Sequence, residues 1–261
     1  MDTSIKTENL GIIQSRGIGD ILIALPIAGF YRNQGHTIFW PICEEFVSHF
    51  RDTVPWVNWV PVPSDPQGNF FYNTPVEYLS ALGVTEAICL YQSLSGHPEF
   101  SQRPEFQIMS FDQYKYAVAG VPLLEKWQLN NYITRDRQRE LELYEKVAPG
   151  RPYVVTHLAG SDYAASIDIQ DWIPGDYDII EITELTDNIW DWLTVLERAQ
   201  AIVAIDSVFA NLVDQMRIAD SVDSYFIPRS HIQLTPVLGC AWSILDPSPD
   251  TAQRISIFRS A

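Results

Sequence analysis

Short apolar runs alternate with helical segments twice along this chain, and a single proline–glycine break separates the two series. In the first series, "LGIIQS" (10–15), "HTIFWPI" (36–42), "VNWVPV" (57–62) and "EAICLY" (86–91) read as strands. Between them, residues 20–34, 43–50 and 75–83 have helical spacing, with Pro26 expected to kink or shorten the first helix. "SFDQYKYAVAG" (110–120) reads as a helix capped by Ser110, and residues 135–147 as a charged helix whose "RDRQRE" run faces solvent. "APGRP" (148–152) then breaks the chain. The second series has strands at 153–158, 177–182, 201–205, 222–228 and 240–245. It has helices at 189–199 and 206–216, and a Gly/Asp/Ser-rich loop over 159–176.

Strands alternating with helices build parallel sheets covered on both faces. The fold class expected is α/β, as two small Rossmann-like domains facing across a cleft. An N-terminal domain takes residues 1–126, a linker and helix take 127–150, and a C-terminal domain takes 151–261. Ligands of such sheets sit at the carboxyl ends of strands, beside helix N-termini. The loops after Ser15, Leu158, Ile182, Ile205 and Ile227 are therefore the places to look for chemistry.

Composition narrows the function classes. The 261 residues carry 17 basic and 33 acidic side chains, a formal charge of −16. Such a surface repels phosphate backbones, so nonspecific nucleic-acid binding is disfavoured. Cys43, Cys89 and Cys240 are odd in number and far apart, with no CxxC pair, so neither a disulfide framework nor a structural zinc site is expected. No run reaches the ~18 apolar residues of a membrane helix. "ILIALPIAGF" (21–30) abuts Asp20 and lacks a basic leader, so export is not expected and the protein is expected to be cytoplasmic.

"QSRGIGDILIALPIAGFYRNQG", from Gln14, has two glycines between a strand and a helix. A dinucleotide fingerprint needs a third glycine where Leu22 stands, and a bulky side chain there blocks the close helix–strand approach. The Gly-Lys-Ser/Thr of a Walker A loop is absent. What remains is a turn through Arg16, Gly17 and Gly19 that delivers Asp20 to the start of a helix. That position suits either a carboxylate complementing the helix dipole or a general base.

This stretch resembles the opening of glycosyltransferase family 9, the ADP-heptose:lipopolysaccharide heptosyltransferases. "YVVTHLAGS" (153–161) is similar to the strand and Gly-Ser loop of that family's donor domain. "LERAQAIVAIDSVFANLVDQM" (196–216) is similar to its Asp-Thr/Ser helix start. The resemblance implies a GT-B fold and an inverting transfer from a nucleotide-sugar to an acceptor hydroxyl, without metal or other cofactor. It implies that Asp20 is the base. Ser207, Val208 and Phe209 would offer backbone N–H groups to the leaving diphosphate, while Asp206 meets hydroxyls of the sugar or ribose and Asn211, one turn along, reaches the donor. Gly160 and Ser161 form a second phosphate-capable loop, and Arg229 is the best-placed cation. His157 reads as a core histidine, and Trp172, Trp190 and Trp192 as core.

The chain departs from the family at "SIDIQDWIPG" (166–175), which has two acids and no Lys or Arg before its Trp-Pro segment. Donor sugar, nucleotide, acceptor and oligomeric state therefore stay open. So do a non-catalytic nucleotide- or glycan-binding protein, a phage-type DNA-base glycosyltransferase, an epimerase or hydrolase of the same fold, and a structural α/β protein.

Overall fold

A computed structural model describes residues 8–92, 94, 108–148, 150–160, 163–228 and 236–245, and residues 255–256 as backbone. Ser161 and Arg229 lie outside the described residues. The chain separates into two compact units, 1–134 and 135–261. The stretch 127–150, expected as linker and helix, is divided between them.

The first unit runs β1 (Asn9–Ile13), α1 (Ile18–Asn33), β2 (Thr37–Cys43), α2 (Val47–Phe50), β3 (Asn58–Val62), α3 (Asn73–Ala81), β4 (Glu86–Cys89) and α4 (Phe111–Val118). Its strands form a parallel sheet in the order β3-β2-β1-β4. Chain direction across the sheet reverses at β1, because β2 and β3 lie on one side of it and β4 on the other. The crevice outside the carboxyl ends of β1 and β4 is thus a topological switch point, where α/β folds bind ligands.

α1 is the central helix of this unit. Its residues Ile21 to Gly29 are all buried, which explains an apolar run without helical periodicity. Pro26 does not shorten it, since the helix runs on to Asn33. A proline in a helix interior costs about 3 kcal/mol. Burying each large apolar side chain returns about 1.5–3 kcal/mol, and Ile21, Leu22, Ile23, Leu25 and Ile27 are all fully buried. The Tyr116 hydroxyl also donates to the Ile23 carbonyl at 2.9 Å, in the turn before Pro26. α4 begins at a capping box in which Ser110 and Gln113 satisfy each other's backbone N–H groups, as its sequence implies.

The second unit runs α5 (Arg137–Val147), β5 (Tyr153–His157), α6 (Ile169–Trp172), β6 (Asp178–Glu181), α7 (Leu193–Glu197), β7 (Ala201–Ile205), α8 (Val208–Gln215), β8 (Asp223–Ile227), β9 (Trp242–Ile244) and β10 (Ile255–Ser256). The sheet order is β10-β9-β8-β7-β5-β6, with β10 antiparallel to β9 and the other pairs parallel. Here the switch point lies between β5 and β7.

Two expectations are corrected in this unit. The loop 159–176 contains a helical turn, α6, which Asp168 caps by accepting from Gln170 N–H at 3.0 Å. The "RDRQRE" run is a solvated face only in part: residues 136–139 are exposed, but its two ends turn inward. Glu140 is 1% exposed and takes Arg135 on one side and the Thr194 hydroxyl, at 2.6 Å, on the other. Arg135 also pairs with Glu197, and Arg139 pairs with Asp191 at 2.7 Å. These ion pairs fasten α5 to the α7 region, which a sign-mixed run viewed on one helix alone could not disclose.

Gly29 shows how tightly the first unit is packed. A Cβ there would lie 2.3 Å from the Tyr132 ring. Gly→Ala in a helix ordinarily stabilises by up to about 1 kcal/mol. Overpacking costs about 1–3 kcal/mol. Gly29→Ala should therefore lower the melting temperature, and a stabilised G29A in a thermal melt would refute this packing.

Candidate functional site

The loop leaving β1 is built by the switch point of the first sheet. Ser15 N–H and Arg16 N–H both donate to the Tyr91 phenol, at 2.9 and 3.2 Å, and Tyr91 stands just past β4. The Ser15 hydroxyl meets the Phe70 carbonyl and, at 3.0 Å, the same phenol. Burial pushes the Tyr91 phenol above its usual range, so it remains a neutral anchor. Arg16 is exposed and lies over the Phe70 ring, 5.0 Å from its centroid.

Gly17 is the N-cap of α1, at φ 85°. That conformation favours glycine, and a second constraint reinforces it. A Cβ on Gly17 would lie 2.7 Å from Asp20 Oδ2. The helix begins at Ile18, so Gly19 and Asp20 are the second and third residues of its first turn. The Asp20 carboxylate therefore curls back over the cap.

The other carboxylate oxygen meets a residue that sequence reasoning missed. Lys115 Nζ lies 3.1 Å from Asp20 Oδ1, with side-chain exposures of 6% for Lys115 and 40% for Asp20. Gln14 Oε1 accepts from the same ammonium at 2.7 Å, and the Leu90 carbonyl accepts at 3.4 Å. A lysine on α4 thus reaches the ends of β1 and β4 and the first turn of α1 at once. A buried ammonium is tolerated only when paired and hydrogen-bonded, and these contacts supply both. One signal was present in the sequence. Asp112, Lys115, Tyr116 and Ala119 share one helical face, and a lysine on an otherwise inward stripe needs a partner. Asp112, on the same face, is itself fully buried against Lys126 at 2.8 Å.

In the second unit, β7 runs into Asp206 and Ser207, and α8 begins at Val208. Asp206 is 5% exposed and its N–H donates to the Ile227 carbonyl at 3.0 Å. Ser207 occupies the N-cap with extended backbone, yet its side chain caps none of the helix's N–H groups. Its hydroxyl lies 2.9 Å from His157 Nδ1, at the end of β5. Burial pushes the His157 imidazole down to about 4, so the ring is neutral at physiological pH. The ring packs on Phe209 at 4.8 Å. Asn211 Nδ2 donates to the Ser207 carbonyl at 2.9 Å, while Asn211 Oδ1 is buried without a partner among the described residues.

Gly160 is exposed, and its N–H donates to the Tyr163 carbonyl at 2.8 Å within a small loop closed by an Ala159–Ala164 bridge. That amide is engaged within the loop. Trp190 and Trp192 are buried, and Trp172, the last residue of α6, packs on the core. Among the described residues, no group of three or more His, Cys, Asp or Glu is placed to hold a metal, and no helix is long and apolar enough to cross a membrane.

No protein-family model matches the chain, and no curated protein matches it either. Solved structures do. The chain is similar to E. coli ADP-heptose LPS heptosyltransferase II with a TM-score of 0.59 at 12% identity, covering 92% of this chain and 90% of that one. It is similar to a family 9 glycosyl transferase from Veillonella parvula with a TM-score of 0.53 at 8% identity, covering 84% and 80%. It is also similar to TibC, an iron-containing dodecameric glycosyltransferase from enterotoxigenic E. coli, with a TM-score of 0.51 at 12% identity. The match covers 89% of this chain and 61% of TibC, so the chain spans about three fifths of that protein's length. The fold is that of the GT-B glycosyltransferases, as the sequence resemblance implied.

The Asp20–Lys115 pair should show in stability. Asp20→Asn removes the counter-charge of a buried ammonium. The carboxylate is 40% exposed, so the cost is that of a partly screened pair, about 1 kcal/mol. In a Lys115→Met background the same change should cost close to nothing. Urea melts of the four proteins measure this coupling, and additive effects would deny the pair. His157 makes a second mark. Its folded-state value lies below the ordinary 6.5, so the unfolded chain binds the extra proton between pH 6.5 and 4. The stability present above pH 6.5 is lost as pH falls toward 4. His157→Phe should flatten that part of the stability–pH curve, measured as the difference from the unmodified protein.

Proposed function

We propose that this protein is an inverting, metal-independent glycosyltransferase that moves a sugar from a nucleotide-sugar to an acceptor hydroxyl, with Asp20 as general base. The observation that carries the reading is the state of the Asp20 carboxylate. It stands at a sheet switch point, 40% exposed, with Oδ1 held by a buried ammonium and Oδ2 turned into the space that the missing side chain of Gly17 leaves. A carboxylate that served only the helix dipole would need neither the lysine nor the glycine.

In the proposed reaction Asp20 takes the proton of the acceptor hydroxyl as its oxygen attacks the anomeric carbon. The bond from that carbon to the diphosphate oxygen breaks on the opposite face, which inverts the configuration. The diphosphate leaves with the bonding pair. Backbone N–H groups aimed at developing negative charge are an effective stabiliser in a water-poor site. The start of α8 supplies them at Val208, Phe209 and Ala210, while Asn211 takes a donor hydroxyl. Arg16 and the Phe70 ring beside the Gly17 turn would meet the acceptor. The similar structures support transfer from a nucleotide-sugar as the reaction class. TibC contains iron; the helix N-terminus favours a metal-free leaving-group site here.

A thermal-shift screen of nucleoside diphosphates and their sugars names the donor, since a ligand at about a hundred times its dissociation constant adds roughly 2.7 kcal/mol. Transfer is then measured in EDTA. The unmodified protein should turn over, and Asp20→Asn should lose at least about a thousandfold in kcat with donor affinity within about twofold. Loss of transfer in EDTA overturns metal independence. An active D20N overturns the base. Donor binding without turnover favours a nucleotide-binding protein on this scaffold.

A further inference from the structure

Ser207 holds the position at which serine is preferred for capping a helix, with the extended backbone that capping uses. Its hydroxyl nevertheless turns away to His157 on the neighbouring strand. The first three N–H groups of α8 have no intrahelical acceptor, because the first bond of the ladder runs from Asn211 N–H to the Ser207 carbonyl, at 3.2 Å. Losing a serine cap contact weakens a helix start, so a diverted cap is destabilising in a way that a purely structural helix has no reason to keep.

A second observation at the same spot points to a ligand. Asn211 is 3% exposed, and its carboxamide reaches back to the helix start through Nδ2. Its Oδ1 has no donor among the described residues. A buried acceptor left without a donor destabilises the fold. The start of α8 thus offers uncapped N–H donors beside a lone carbonyl acceptor. That pairing suits a phosphoryl anion with a hydroxyl next to it, as in a nucleoside diphosphate esterified to a sugar.

We propose that His157 is a positioning residue of this site, which holds the Ser207 hydroxyl off α8 and so leaves the amides of Val208, Phe209 and Ala210 to the diphosphate. The proposal rests on the donor-site reading above and adds the device that keeps the site open. The neutral imidazole suits this task. It orients a hydroxyl without adding a charge, and its packing on Phe209 fixes the ring against the helix it controls.

His157→Phe keeps a ring against Phe209 and removes the hydrogen bond. The hydroxyl of Ser207 is then free to cap α8. Amide hydrogen exchange at Phe209 and Ala210 should slow in H157F and stay unchanged in H157F/S207A. Affinity for the free nucleoside diphosphates, measured by calorimetry, should fall about tenfold in H157F. His157→Asn, whose amide can stand where Nδ1 stood, should recover most of it. Unchanged exchange in H157F overturns the proposal. So does an affinity loss in H157F that persists undiminished when Ser207 is already Ala, since His157 would then act without the serine. If exchange slows as expected but the unmodified protein binds no nucleoside diphosphate at millimolar concentration, the donor reading fails and the assignment of the amides to a diphosphate fails with it, while the control of the cap by His157 stands.

Discussion

A single buried ammonium organises the first unit. Lys115 comes from α4, which follows the sheet in sequence, yet its Nζ is bound by Gln14 after β1, by Leu90 after β4 and by Asp20 on α1. Burying that charge is worthwhile only if all three partners are in place. The ammonium therefore ties the two strand ends of the switch point to the helix start between them. The geometry of Asp20 is a by-product of this tie. Its carboxylate points back over Gly17 rather than out along the helix, because one oxygen is held and the glycine leaves space for the other.

The second unit solves the corresponding problem without a cation among its described site residues. His157, Ser207 and Asn211 meet at the ends of β5 and β7, and every hydrogen-bonding group they bring is neutral. Charge is used elsewhere in that unit. Arg135, Arg139, Glu140, Asp191 and Glu197 fasten α5 onto the α7 region. Scaffold and site thus draw on different physics. The scaffold uses multivalent ion pairs, some of them deeply buried. The site uses oriented dipoles.

Periodicity and strand-end logic in the sequence were enough to locate the elements and to point at Asp20, Ser207 and Asn211. Alternation of apolar runs with helices exposes a Rossmann-like plan because each buried parallel strand is itself apolar. Capping chemistry is local, so Ser110 and its partner Gln113 could be read directly. What the sequence withheld was long-range. Lys115 lies 95 residues from Asp20, and although its place on the inward stripe of α4 calls for a partner, nothing local says which carboxylate supplies it. The diverted cap of Ser207 is illegible for the same reason. A serine before a helix predicts a cap, and only the β5–β7 pairing brings a histidine near enough to compete for it. Pro26 does not shorten its helix, because tertiary burial outweighs one lost hydrogen bond.

The acidic segment before Trp172 has a bearing on this division of labour. Where the sequence resemblance leads one to expect basic residues, Asp168 caps α6, and Ile169 and Ile173 are buried in the core with Trp172 packed against them. The segment has been turned to structure. For the diphosphate donor proposed above, a chain of net charge −16 without those cations would have to rely on short-range donors, because its long-range field opposes the approach of an anion. Backbone N–H groups at a helix start suit that demand, since their worth depends on direct contact and on exclusion of water rather than on net charge. They serve only if nothing in the protein already occupies them. In this chain the residue best able to occupy them is Ser207, and His157 is the group that draws it aside.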